Sequence, residues 1–294
     1  GDRRAPAIEE LAGLDFFVVD LPDVGARYYT YMATMKDCLA ACGEAGVPVL
    51  VLDRPNPVGG AILEGPIAER CESPVCCAPI PVRHGMTLGE LAKFFAASMA
   101  KAPKVTVSEL DGWRRELLFP QCALPWVPPS PNMPDPETAL LYAGTCLFEG
   151  TNLNEGRGTD TPFKIVGAPW LDAQTVIDAL DKGDREGCTL EAVSYTPRAI
   201  PGKATDPRHR DKTCAGIRIH VEDASSLRPF RLAVALIGAI RKHHREFELR
   251  DWFDTLAGTR ALRQDIEKGQ SAGTIIGAYD SALAAFDRKR PKIY

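Results

Sequence analysis

No stretch of this sequence reaches the ~20 consecutive apolar residues of a membrane span, and no run of lysines or arginines offers a surface to polyanions. Net charge is −4 over 294 residues, with a pI of 5.8. Nucleic acid and anionic membrane are therefore excluded as expected partners. A Cys-x-x-Cys pair is missing, although there are nine cysteines (38, 42, 71, 76, 77, 122, 146, 188 and 214). No histidine stands near enough to Cys71, Cys76 and Cys77 to complete a finger-type zinc site, so free or buried thiols are expected and no metal or cofactor. The odd count points to a reducing compartment or to a scaffold independent of disulfides. The chain opens on Gly1-Asp2-Arg3-Arg4 without methionine or signal peptide, the mark of a processed or truncated start.

Catalytic signatures are also scarce. The Gly150 to Gly156 stretch lacks the spacing and lysine of a phosphate loop, and no Gly-x-Gly-x-x-Gly follows the first strand. Neither a Gly-x-Ser-x-Gly elbow, a His-Glu-x-x-His helix nor a calcium loop occurs. What remains is carboxylates, arginines, asparagines and aromatics near loop ends. That inventory suits carbohydrate chemistry, in which one carboxylic acid protonates a leaving oxygen and a second group serves water or the cation-like transition state.

The densest such stretch is Pro125 to Thr161. Its proline- and glycine-rich ends, Pro128-Pro129-Ser130-Pro131 and Gly156-Arg157-Gly158, read as shaped loops around the short apolar run Ala139 to Phe148. Glu149 to Asp160 offers hydrogen-bonding groups and little that packs, as expected of a polar ligand site or of a solvated connection.

Hydrophobic patterning supplies the frame. Leu14 to Leu21 and Val47 to Leu52 read as buried parallel strands around a helix from Arg27 to Glu44 closed by Gly46, and Val105 to Leu110 as another strand. A strand–helix–strand unit implies a parallel, Rossmann-like sheet, whose ligands gather beyond the carboxyl ends of its strands. Asp20, Asp23, Asp53 and Arg54 fall there, with a turn cap and ion pair as the alternative role for Asp53 and Arg54. Thr87 and Glu90 have capping-box spacing, and His84 precedes that helix. Beyond Pro162, Asp172 caps a helix to about Leu180, Cys188 to Tyr195 and Ala215 to Val221 read as strands, and Arg228–Arg245, Thr259–Glu267 and Ser271–Arg288 as helices. The fold class expected is thus α/β, a Rossmann-like parallel-sheet domain over 1–162 followed by a smaller α+β domain over 163–294.

The blocks DLPDVGARYYTYMATM (20–35), VLDRPNPVGG (51–60), LEGP (63–66), IPVRHGMTLGEL (80–91), GWRRELLF (112–119), LPWVPPSPNMP (124–134) and GTCLFEGTNLNEGRGT (144–159) closely resemble, in order, those of the exo-β-N-acetylmuramidase (NamZ) family. The resemblance runs to the closing FDRKRPKIY. It implies a cleft between two domains that releases β-1,4-linked N-acetylmuramic acid from non-reducing ends of peptidoglycan glycans or muropeptides. It also implies a periplasmic or secreted location, against which the cysteine count weighs. Arg27, Arg83 and Arg157 are forks suited to the lactyl carboxylate of that sugar. Asn132, Asn152 and Asn154 suit its hydroxyl and acetamido groups. Tyr28, Asp53, Arg54, Asn56, His84 and Glu149 complete the expected binding set. Glu155 and Asp23 are the expected catalytic acids, with an ion pair to Arg157 and a helix cap as their respective alternative roles.

Two departures stand out. Family members usually carry an upstream segment with an acidic Pro-Glu-His-Gly stretch, in the place of a catalytic glutamate. No such stretch occurs here, so an incomplete enzyme, or a muropeptide-binding protein without turnover, is the alternative expectation. The second is Pro22, where the family commonly has glutamine.

Overall fold

The computed structural model describes residues 3–294; Gly1 and Asp2, on which the reading of the chain's start partly rests, lie outside the described residues. After a single helical turn, α1 (Ile8–Leu11), strand β1 (Phe17–Val19) leads through a long loop to α2 (Tyr31–Ala45) and β2 (Val49–Leu52). Then follow α3 (Leu88–Ala96) and β3 (Val105–Ser108). The sheet order is β1-β2-β3, all parallel, with Phe17 opposite Val49 and Val49 opposite Val105. The parallel, Rossmann-like sheet is therefore present, and α2 and α3 pack on it around Met32, Leu39, Val51, Leu91 and Phe95. Helix α2 stops at Gly46, whose φ of +71° is the left-handed value a closing glycine supplies.

One strand expectation needs correction. The first strand is three residues long and only half buried, because β1 is an edge strand: Leu14, Phe16 and Val18 are exposed and Val19 alone of the strand is buried.

The second part runs through α4 (Pro136–Thr145), a 3-10 turn at Cys146–Gly150, β4 (Ile165–Ala168), α5 (Ala173–Asp178), β5 (Cys188–Tyr195) and β6 (Cys214–Val221). Helices α6 (Pro229–His243), α7 (Asp251–Ala257), α8 (Ala261–Glu267), α9 (Ala272–Gly277) and α10 (Asp280–Lys289) complete it. Its antiparallel sheet has the order β4-β6-β5. One core joins α4, the Leu147–Phe148 turn, one face of this sheet through Val166, Ile217 and Ile219, and α6. The single helix expected over Ser271–Arg288 is two helices, because the chain turns after Gly277 and restarts at Asp280.

The two halves are tied at the end of β2. Asp53 Oδ1 accepts the Gly89 and Arg54 N–H groups at 2.8 and 3.0 Å, and Oδ2 accepts the Thr87 and Tyr294 hydroxyls at 2.7 and 2.8 Å. One carboxylate thus joins the sheet edge, the start of α3 and the chain's last residue. All nine cysteines are unpaired thiols. Among the described residues no helix is long and apolar enough to cross a membrane.

Candidate functional site

One hollow is walled by the loop Leu124–Pro129, and a second opens at Lys203, which Asn132 farther along that loop holds by its carbonyl. The first, of about 590 Å³, is walled by Phe119, Trp126, Tyr31 and several prolines, with Asp23 and Arg54 at its polar end. Phe119 meets Trp126 edge-on at 4.9 Å, and the indole is fixed by an Nε1–H bond to Met133 O at 3.1 Å. Such a held, flat wall is what a sugar face stacks against. Asp23 Oδ2 accepts the Gly25 N–H at 2.7 Å and lies 3.3 Å from Nε2 of fully buried His84. His84 Nδ1 accepts the Met86 N–H, so the ring's proton sits on Nε2. The Asp23–His84 contact is not aligned as a hydrogen bond. Asp23 Oδ1, His84 Nε2 and the Tyr29 hydroxyl are buried without hydrogen-bond partners, and of the three residues Asp23 lines the hollow. Buried polar groups are normally satisfied, so Asp23 is the one of them placed to turn toward a ligand.

The second hollow, of about 370 Å³, is polar and lined by Glu149, Glu155, Arg157, Lys203, Asp206 and Arg208. Arg157 Nη1 is 2.9 Å from Glu149 Oε1 and 3.4 Å from Glu155 Oε1, and its guanidinium lies 4.9 Å from the Phe163 ring centre. Burial pushes the Glu149 carboxyl above the usual glutamate range. The charge of Glu155 adds to the shift, against the pull of Arg157. Burial works against the Arg157 cation, but the two glutamates outweigh it and hold that group above its ordinary value.

The antiparallel sheet places these groups. Asn154 exchanges both backbone hydrogen bonds with Gly167 of β4, at 2.8 and 2.9 Å, so the chain just before Glu155 is bridged to the sheet at one residue. The Asn154 amide donates to the carbonyls of Arg157 and Arg208, and its oxygen accepts the Gly156 N–H and the Tyr195 hydroxyl. The Tyr195 ring lies over Gly167 and Gly216, which face each other across β4 and β6; a Cβ on either would stand within 2.9 Å of it. Gly158 has a φ of +83°, and a Cβ there would stand 2.6 Å from Pro207, beside Arg208. Replacing Gly158 with alanine is therefore expected to cost at least about 1–2 kcal/mol from the backbone alone and to lift the 198–208 loop, lowering the melting temperature.

The hollows share a rim. Tyr31 donates to Pro129 O at 2.9 Å beside the first, and Asn132 donates to Lys203 O at 2.8 Å beside the second. Pro129 and Asn132 are three positions apart, a reach of at most about 10 Å. Between the hollows runs a partition of edge-to-face rings from Tyr31 through Tyr29 and Tyr142 to Phe163.

Several expected site residues take other places. Asp23 and Glu155 do not meet: they line different hollows, and the carboxylate beside Glu155 is that of Glu149. Asp53 is in neither, because its oxygens are occupied by four donors. Arg27 is fully buried, with its fork spent on the carbonyls of Pro66, Ile80, Leu256 and Ala257. Arg83 is likewise buried, paired with Glu64 at 3.3 Å and bonded to Val58 O. Neither reaches a ligand. Asn56 is committed to Met86 O and the Val58 N–H, and Asn152 to the chain at Glu246 and Glu248. Tyr28 is core, edge-on to Tyr142. Asn154 positions Glu155 rather than facing the hollow. Arg54 borders the first hollow in an exposed pair with Asp20. The helix-cap role for Asp23 also fails, since its bond goes to Gly25 in a tight turn. Arg208 was not foreseen; it sits in a polar linker with neither periodicity nor motif.

Comparison with known proteins agrees along the whole chain. Residues 1–137 match the family model for the N-terminal part of exo-β-N-acetylmuramidase NamZ, and 140–294 the model for its C-terminal part. The peptidoglycan β-N-acetylmuramidase NamZ of Bacillus subtilis (strain 168) is 38% identical over 296 residues, spanning 99% of this chain and 70% of that protein. Two DUF1343 family proteins of Bacteroides fragilis NCTC 9343 share the fold. One has a TM-score of 0.87 at 24% identity, covering 100% of this chain and 78% of the other. The second has a TM-score of 0.78 at 33% identity, covering 96% and 76%.

Proposed function

Since the chain belongs to the exo-β-N-acetylmuramidase NamZ family, we propose that Glu149 and Glu155 are the acid pair with which it cleaves N-acetylmuramic acid from the non-reducing ends of peptidoglycan glycans. The chain is a glycosidase, its substrate a peptidoglycan-derived glycan, and the proposed place of action is the cell-wall side of the membrane. A binding protein without turnover is not favoured by a family match of this extent. One observation carries the residue assignment: two carboxylates sharing one guanidinium nitrogen in an open polar hollow.

The raised carboxyl of Glu149 suits the general acid, which must hold its proton until the glycosidic oxygen leaves. Glu155, held by Arg157, then attacks the anomeric carbon. Glu149 afterwards takes a proton from the water that releases the sugar. Contacts of 2.9 and 3.4 Å to one nitrogen keep Oε1 of Glu149 and Oε1 of Glu155 short of the ~6.5–9.5 Å separation of inverting pairs, and the mechanism proposed is a retaining one. The terminal muramic residue occupies the polar hollow, and the next sugar the aromatic one, where Asp23 and Arg54 stand at the polar end.

The test is NMR observation of the first product formed from a β-linked N-acetylmuramic acid–N-acetylglucosamine disaccharide. The β anomer of free muramic acid is expected first, before mutarotation. Initial release of the α anomer would rule out this use of the pair.

A further inference from the structure

Muramic acid differs from N-acetylglucosamine by a lactyl ether carrying a carboxylate, so a muramidase needs a cation that its own acids have not already claimed. The arginines named from sequence are spent: Arg27 and Arg83 on buried partners, Arg157 on the acid pair, Arg54 on Asp20. We propose that Arg208 receives the lactyl carboxylate and sets the preference for muramic acid over N-acetylglucosamine; this rests on the placement of the terminal sugar in the polar hollow.

Arg208 lines that hollow, and its side chain forms no ion pair among the described residues. Its Nε is buried without a hydrogen-bond partner. The backbone around it is pinned. Asn154 Nδ2 donates to Arg208 O at 3.0 Å, tying it to the residue that carries Glu155, and the next residue, His209, contacts Asn152 O at 2.8 Å through Nε2. Burial and Arg250 lower the Arg208 pKa while Glu155 and Glu149 raise it, so its guanidinium lies within electrostatic reach of the acid pair. Lys203 on the same rim is exposed to water. Of the guanidinium nitrogens Nε is the one sealed from solvent, and the open Nη groups, beside the acids but not paired with them, meet an incoming carboxylate in the forked geometry arginine favours.

The experiment titrates free N-acetylmuramic acid and, separately, N-acetylglucosamine into the full chain and into R208Q and R208K by calorimetry. Turnover of a nitrophenyl N-acetylmuramide is followed on the same preparations. Wild type is expected to bind muramic acid more tightly than N-acetylglucosamine. R208Q should weaken muramic acid about 10²-fold and leave N-acetylglucosamine unchanged, with R208K in between. Equal loss for both sugars, no change for either, or no preference in wild type would each overturn the proposal. A preference for muramic acid without turnover would leave Arg208 in place and remove the hydrolytic assignment of Glu149 and Glu155.

Discussion

Glu155→Gln is expected to lower kcat on a muramic acid-terminated glycan by about 10³-fold while KM moves little. The glutamine keeps the shape and a bond to Arg157 but has no carboxylate to attack the anomeric carbon. Glu149→Gln should behave differently. On the glycan, whose sugar leaving group needs protonation, it should lose activity on the same scale. On a nitrophenyl glycoside, whose leaving group needs little, the loss should be far smaller. Steady-state rates on the two substrates separate the roles, and equal losses on both in Glu149→Gln would deny it the part of acid.

Arg27→Ala should reduce folding stability by about 3–5 kcal/mol. The guanidinium bridges Pro66 and Ile80 to the final turn of α7 through four bonds of 2.7–2.9 Å, all buried. Alanine removes the donor from all four carbonyls, leaving Ile80 O with the Ala68 N–H at 3.3 Å, and those of Leu256 and Ala257 sit at a helix end where a cation is already favoured. Chemical denaturation measures the loss. A change under about 1 kcal/mol would mean that water replaces the arginine, contrary to the sealed surroundings described above.

The difference between Arg27 and Arg208 shows what was legible in the sequence. Both are arginines in polar or glycine-containing stretches, and an open guanidinium reads the same as one capping buried carbonyls 230 residues away. Long-range commitments of that kind, in Arg27, Arg83 and Asp53, leave no local trace. Local physics was legible. The capping box at Thr87 and Glu90, the Asp172 cap and the strand Cys188–Tyr195 all stand as read, since each depends on near neighbours in the chain. Helix α4, which covers most of the apolar run Ala139 to Phe148, has the same kind of local signal: Asp135 caps it and Pro136 opens it. The polar loop at Glu155 stood out because its residues have nothing to pack. The carboxylate beside it in the hollow is that of Glu149, six residues upstream, while Asp23 lies at a strand edge that serves the other hollow.

The pH dependence of kcat/KM on a muramic acid-terminated disaccharide, for wild type and Glu149→Gln, tests the acid pair most directly. Burial raises the Glu149 pKa, so the protonated acid persists above the ordinary glutamate range and wild-type activity should fall only as pH rises through that elevated value. In Glu149→Gln the alkaline limb should vanish along with most of the rate. A variant that keeps both the wild-type rate and its alkaline limb would contradict the account.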